Sequence, residues 1–375
     1  MKEMKDLRIA YFSSTMVEGQ DGVTRTLFKI VDFLKAHHIV NRFYSSLFSE
    51  HTQEQMDIVK VNSIRYPFYK DYSIPFPNKR DLYKNLDEFK PNILHLHTPC
   101  PLGKAAIKYG KKNNILVFAT YHTHFPSYLK YYKIEFLKWL VWIYLRNFYK
   151  GCDHVFVPTK SIMDELEQHK IKNLVYLPNG IDLHLFSKSF YNPDWKKKIG
   201  AEGKNVLLFV GRLVWEKDLR ILIEVNKILR EKRDDFVFVF IGDGPAQEEL
   251  ESHITNSIFL DRLAGDELSE SYASSDMFVF PSTTETFGIV ILEAMASALP
   301  SICVAKNGPL DLIEHKENGL LAQPDNPQDF SEKIEMLLDD KALADKIRTN
   351  ASQFAQDFSW NTVLKKMFKY YTDLS

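Results

Sequence analysis

NVLLFVGRLVWEKDL, residues 205–219, begins with a run of Val, Leu and Phe, closes that run on Gly-Arg, and then passes through a charged turn. The apolar residues follow one another without polar alternation. That is the pattern of a strand covered on both faces, and such strands belong to parallel sheets flanked by helices. The same order of apolar run, loop and helical stretch recurs downstream in DFVFVFIGDGP (235–245), SIFLDRL (257–263), MFVFPS (277–282) and PSICVA (300–305). Repeated strand, loop and helix predict a doubly wound α/β domain over 205–355.

Upstream the pattern is already present in LRIAYFSS (7–14), NILHLHTP (92–99), ILVFATYH (115–122), HVFVPT (154–159) and LVYLPNG (174–180). A first domain of the same class is therefore expected over 1–186. The irregular passage 187–204, with Pro193 and two glycines, reads as a linker. FSWNTVLKKMFKYYTDL (358–374) reads as a helix, so that 356–375 forms a C-terminal helix crossing back to the first domain. The fold class is α/β: two Rossmann-like domains facing across a cleft, with ligands expected at the carboxyl ends of the strands.

The chain has 375 residues, 45% apolar and 26% charged, the composition of a globular protein with two cores. No stretch approaches the roughly 18 apolar residues of a membrane span, and the N-terminus lacks a signal peptide's apolar region; a cytoplasmic location is expected. Cys100, Cys152 and Cys303 stand far apart and suggest neither disulfides nor a zinc site. The net charge of −1 conceals an imbalance: 26 Lys+Arg against 18 Asp+Glu over 1–186, and 22 against 31 over 187–375. A basic half suits an anionic partner or surface, although solvated faces also vary this widely.

Arg212 and Lys217 lie just beyond the strand that opens the second domain, where a forked guanidinium and a compact ammonium could hold a diphosphate, although taken alone such a pair is more often two solvated loop cations. TTETFGIVILEA (283–294) supplies the complement. A helix predicted to begin near Gly288 offers unpaired N–H groups and the positive end of its dipole to a phosphate. Glu285 precedes that helix and Glu293 lies more than a turn inside it. Both could accept hydrogen bonds from sugar hydroxyls; equally, Glu285 could complement the dipole and Glu293 could sit on a solvated face.

GRLVWEK, GDGP, YASSDMFVFPSTTETFGIVILEAMASALP and NGPLDLIEHKENGLL together resemble the retaining nucleotide-sugar glycosyltransferases of family 4, which have the two-domain GT-B fold. The likeness extends over nearly the whole chain, nearest to bacterial α-mannosyltransferases and sulfoquinovosyltransferase-like glycolipid enzymes. It implies that Arg212 and Lys217 bind the donor diphosphate, assisted by backbone N–H groups around Phe287, Gly288 and Ile289. By the same likeness Glu285 contacts the donor sugar, Glu293 the ribose, and Arg262 the base. Asp261 stands where the family often has glycine. Ala298 replaces the glycine of its ASGLP pattern and reads as a packing variation.

In the first domain, VEGQDGVTRTL (17–27) resembles the family's glycine-containing first loop, which brings Gly22 to the donor phosphates. His122 matches the histidine beside the donor sugar. The HxH pairs His95/His97 and His122/His124 could in principle gather a metal, but with no DxD signature no metal and no cofactor are expected; Arg212, Lys217 and the helix N-terminus would carry the leaving charge. LKYYKIEFLKWLVWIYLRNFYK (129–150) places Trp139 and Trp142 on the side of Lys138, Arg146 and Lys150. That is the make-up of a helix lying on an anionic membrane, and equally of a buried helix with one basic edge.

The expected activity is transfer of a hexosyl group from GDP-mannose or UDP-glucose to a glycan or lipid-linked acceptor, with retention, peripheral on the inner face of the plasma membrane. No nucleic-acid partner is expected. A nucleotide-sugar epimerase or a non-catalytic nucleotide-sugar-binding subunit are the alternatives.

Overall fold

The computed structural model describes residues 3–19, 21–65, 73–129 and 134–374. Contacts divide the chain into a first unit, Met1–Pro126, Glu135–Gly180 and Trp360–Ser375, and a second, Ser127–Ile134 and Ile181–Ser359.

The first unit is built on a seven-stranded sheet: β1 (Arg8–Phe12), β2 (Val40–Ser45), β3 (Ile58–Lys60), β4 (Ile93–Leu96), β5 (Leu116–Thr120), β6 (His154–Val157) and β7 (Leu174–Tyr176). Its order is β7-β6-β5-β4-β1-β2-β3 and every pairing is parallel. The uninterrupted apolar runs reflect burial of both faces. Along β1, Ile9 and Tyr11 enter one core layer with α1 (Gly22–Ala36), while Ala10 and Phe12 enter the layer on the other face. Helix α2 (Lys138–Tyr149) lends Trp142, Leu145, Phe148 and Tyr149 to that second layer.

The last helix belongs to the first unit. Apolar residues of Trp360–Leu374 recur at Val363, Leu364, Met367, Phe368 and Tyr371, a stripe at helical spacing that is buried against α1, where Phe368 stacks on Phe33 at 4.8 Å between ring centres.

The second unit holds a six-stranded parallel sheet of β8 (Asn205–Val210), β9 (Phe236–Ile241), β10 (Ser257–Leu260), β11 (Met277–Phe280), β12 (Ser301–Val304) and β13 (Leu320–Ala322), in the order β10-β9-β8-β11-β12-β13. Helices α3 (Arg220–Arg230), α4 (Gly265–Ser274) and α5 (Ile289–Ala296) follow β8, β10 and β11. The C-terminal helix Trp360–Leu374 is numbered α6.

Residues 187–204 are not a free connection. Trp195 is 2% exposed within the second core, Asn192 N–H donates to Ser274 Oγ (2.9 Å), and Lys196 Nζ donates to Asp276 Oδ2 (2.6 Å). The indole's apolar area outweighs the local Pro and Gly signals and draws the passage onto the domain. The main segment of the second unit accordingly begins at Ile181, inside the stretch 1–186 expected for the first domain and well before the expected start at 205.

Candidate active site

In the second sheet the chain winds outward from the centre, through β9 and β10 on one side and β11 to β13 on the other. The loops after β8 and β11 therefore diverge from neighbouring strands, at the switch point where open α/β sheets bind ligands. Hydrogen bonds lace these two loops together. Asp218, in the left-handed region at φ 54°, accepts at Oδ2 from Thr283 N–H (2.8 Å) and Thr283 Oγ1 (2.6 Å), and Thr284 Oγ1 donates to the Glu216 carbonyl (2.9 Å). This lacing carries Lys217 onto Glu285: the ammonium donates to Oε1 of the carboxylate, with the two side chains 18% and 17% exposed.

Lys217 Nζ also lies 5.4 Å from the centre of the Phe280 ring. Burial first, then the nearby positive charge of Arg212, pull the Lys217 ammonium down to about 7; Glu216 and Asp218 act in the opposite sense. The Glu285 contact opposes the fall as well. Lys217 thus has a second cation, Arg212, as an electrostatic neighbour and Glu285 as its paired anion.

Phe287 is buried at 2% exposure, and Gly288, at φ 92°, adopts a left-handed conformation immediately before α5. The turn is braced from outside. Gly308 N–H donates to the Glu285 carbonyl (3.0 Å), and a Cβ on Gly308 would stand 2.5 Å from the Phe287 carbonyl oxygen. Ile289 begins α5; the Ile291 N–H donates to the Gly288 carbonyl (2.9 Å), and the N–H groups of Ile289 and Val290 precede that first bond of the helix. Glu293 lies inside the protein rather than on a solvated face: it is 2% exposed and accepts from the Tyr272 hydroxyl of α4 (2.8 Å). Arg262, beyond β10, is more than half exposed with Nε 3.3 Å from Asp243 Oδ1. Asp243 belongs to the loop after β9, packed so closely on the β8 loop that a Cβ on Gly242 would fall 2.1 Å from the Gly211 carbonyl oxygen.

In the first unit, Gly22 is the first residue of α1, which Asp21 caps through Thr24 N–H (2.9 Å). His122 follows β5. Burial pushes its imidazole down to about 4, with the Asp21 carboxylate pulling weakly the other way, so the Gly22 loop and His122 are electrostatic neighbours. The four histidines do not converge on one point. His97 Nδ1 and His122 Nε2 are 2.8 Å apart and share a hydrogen bond, His95 pairs with Thr120 and Tyr371, and His124 Nε2 lies 3.0 Å from Glu165 Oε2. Among the described residues no group of three or more His, Cys, Asp or Glu could hold a metal ion.

Of residues 129–150, residues 130–133 lie outside those described. In the remainder the two tryptophans part company. Trp142 is a core residue, 6% exposed and stacked on His169 at 3.6 Å, whereas Trp139 is 60% exposed beside Phe136, Leu140 and Ile143. A three-residue separation leaves the two indoles only about 60° apart around the helix, so they fall on either side of the line where its buried face meets its exposed one. Lys138, Arg146 and Lys170 line an open groove of about 570 Å³ with Trp139 and Ile143. No helix among the described residues is long and apolar enough to cross a membrane.

Sequence reasoning missed the residues that hold the site together: Asp218 and Thr283, Tyr272 under Glu293, Asp243 beside Arg262, and His97 beside His122. The HxH spacing was a signal for His97. Nothing local marks Tyr272, which meets Glu293 only through the packing of α4 on α5.

Residues 20–185 match the family model described as Glycosyltransferase Family 4, and residues 192–354 that of Glycosyl transferases group 1. A GDP-mannose-dependent alpha-mannosyltransferase of Corynebacterium glutamicum is 29% identical, over 100% of this chain and 91% of that protein. Sulfoquinovosyl transferase SQD2 of Arabidopsis thaliana is 30% identical over 83% of this chain and 62% of its own length. The Anabaena HepE structure in complex with UDP superposes with a TM-score of 0.79, covering 98% of this chain and 100% of that one at 17% identity, a likeness of fold.

Proposed function

The chain belongs to the glycosyltransferases that join a family 4 domain to a group 1 domain, and from that premise we propose a retaining transferase that moves a hexosyl group from GDP-mannose or UDP-glucose to a glycan or lipid-linked acceptor, forming an α-glycosidic bond. The observation that carries this reading is the contact between Lys217 and Glu285 at the switch point, beside the start of α5. A cation for the diphosphate and a carboxylate for sugar hydroxyls are already adjacent, as a nucleotide sugar requires. In this reading Arg212, Lys217 and the N–H groups from Phe287 to Ile289 take the leaving diphosphate's charge. Glu285 holds the sugar, Glu293 the ribose, Arg262 the base; Gly22 lies at the donor phosphates and His122 beside the reacting carbon. The reaction runs by front-side attack, the departing phosphate helping to remove the acceptor proton, without a resident metal.

The acceptor reading rests on the exposed Phe136, Trp139, Leu140 and Ile143 next to Lys138 and Arg146, a surface suited to an anionic membrane carrying a lipid-linked acceptor. The functional test is a panel of nucleotide sugars assayed for binding, hydrolysis and transfer, with Glu285→Ala as control. Transfer by the wild type and its loss in the variant support the proposal. Failure of every nucleotide sugar to bind overturns it, and a sugar epimerised without an acceptor would replace transfer with epimerisation.

A further inference from the structure

We propose that His97 is a positioning residue that holds His122 as its Nδ1–H tautomer, making His122 a neutral hydrogen-bond donor rather than a base or a cation. The inference rests, for its catalytic meaning, on the reading that His122 stands beside the donor sugar.

His97 Nδ1 and His122 Nε2 are 2.8 Å apart, with ring centres 5.1 Å apart and planes 21° from parallel. Burial holds both imidazoles below the ordinary range, so both are neutral and a single proton lies between the two nitrogens. If His122 donated it, His97 would carry its own proton on Nε2. That atom is buried and has no hydrogen-bond partner among the described residues. A buried N–H without an acceptor is the rarer defect, while an unfilled lone pair is better tolerated. His97 therefore donates from Nδ1, His122 accepts at Nε2, and the proton of His122 sits on Nδ1. The ring nitrogen of His122 that faces away from His97 therefore carries hydrogen and cannot accept one.

The pair is held from beneath by the C-terminal helix. His95 and His97 alternate along one face of the sheet, ring centres 4.2 Å apart. His95 Nδ1 lies 2.5 Å from the Tyr371 hydroxyl of α6, and its Nε2 lies 2.8 Å from Thr120 Oγ1. A ring pinned at both nitrogens cannot swing, and it gives His97 a fixed surface to stack on. Helix α6 thus supports the orientation of His122 through two histidines it packs beneath.

The test is a two-bond ¹H–¹⁵N spectrum of the full-length, ¹⁵N-histidine-labelled protein, with resonances assigned through His122→Gln and His97→Asn. The expected wild-type pattern is His122 protonated at Nδ1 and bare at Nε2. His97→Leu removes the donor: His122 gains the Nε2–H form, and kcat falls by roughly ten- to a hundredfold, the scale on which groups orienting an imidazole act. The KM for the nucleotide sugar stays within about threefold because uniform binding is untouched. His97→Asn places an amide N–H near the lost Nδ1 and restores the tautomer and most of kcat. A His122 protonated at Nε2 in the wild type overturns the proposal, whatever becomes of the variants; so does an unchanged tautomer in His97→Leu. The expected spectrum in a protein that transfers no sugar overturns the functional reading and leaves the tautomer assignment standing.

Discussion

The ammonium of Lys217 is bonded to the carboxylate of Glu285, although the two residues come from loops on different strands, 68 positions apart in the chain. On the proposed reading, a diphosphate and a sugar would claim these groups and separate them, replacing one ion contact with two new ones. Replacing Glu285 by Gln therefore frees the cation while removing the sugar contact. Transfer should fall by roughly 10²- to 10³-fold, the usual cost of losing one transition-state contact. Affinity for the nucleoside diphosphate should be kept or tightened, by calorimetry. Loss of diphosphate binding would instead assign Glu285 to loop architecture.

Proton linkage follows from the same pair. With burial and Arg212 holding Lys217 at about 7 in the free protein, a diphosphate bound as proposed would raise its pKa by adding negative charge beyond that of Glu285. Affinity should be highest where Lys217 is already protonated, at or below about pH 7, and fall as pH rises toward the pKa of the bound form. Binding in that window should take up a proton, read as a calorimetric enthalpy that depends on buffer ionisation. Lys217→Arg, charged throughout, should abolish the uptake.

Acid should destabilise the first unit. Burial holds His95 and His97 well below 6.5 and His122 at about 4. The unfolded chain binds more protons than the native one between those values, so stability rises with pH across the window and is lost as pH falls below about 6.5. His122 alone accounts for about 3 kcal/mol over its full shift. Urea midpoints measured at about pH 7.5 and about pH 5 should show the loss, and His122→Gln should lessen it.

Ala298 has a definite backbone cost. Helix α5 ends with Ala298 N–H on the Met295 carbonyl (3.0 Å) and Leu299 N–H on the Ala294 carbonyl (2.9 Å), and Ala298 sits at φ 56°. This is the left-handed C′ position that glycine fills at least cost, so the substitution concerns backbone conformation rather than packing. Ala298→Gly should raise stability by about 0.5–1 kcal/mol, read as a higher thermal midpoint with unaltered transfer.

Membrane docking, if carried by α2 and the turn before it, depends on Phe136 and Trp139 rather than on the buried Trp142. Sedimentation with anionic liposomes should drop for the double replacement Phe136→Ser with Trp139→Ser and persist for neutral substitutions elsewhere on the surface. Trp142→Ala should lower stability by about 3–5 kcal/mol, the cost of emptying a buried aromatic site. Binding that survives the double replacement would remove the membrane reading.

The apolar runs made both sheets legible, because a strand covered on two faces has to be apolar at every position. Arg212, Lys217, Glu285 and Gly288 could be singled out for a related reason: they sit in the loops that follow strands, where local order already places them at the sheet's end. Passage 187–204 was misread because Pro and Gly speak for local freedom, whereas Trp195 answers to a core assembled from distant residues. Trp142 and Trp139 were likewise grouped by helical angle, which gives the relative directions of side chains but not which neighbours cover them.

By itself, then, the sequence determined the two doubly wound domains and the loop residues that follow their strands, since strand periodicity and the residues that follow each strand are local properties. Only the tertiary structure decided that Lys217 rests on Glu285, that Tyr272 holds Glu293, and that the C-terminal helix sets Tyr371 under His95. These contacts join residues 21 to 276 positions apart, and hydrogen bonds across such distances exist only after the sheets have brought their ends together.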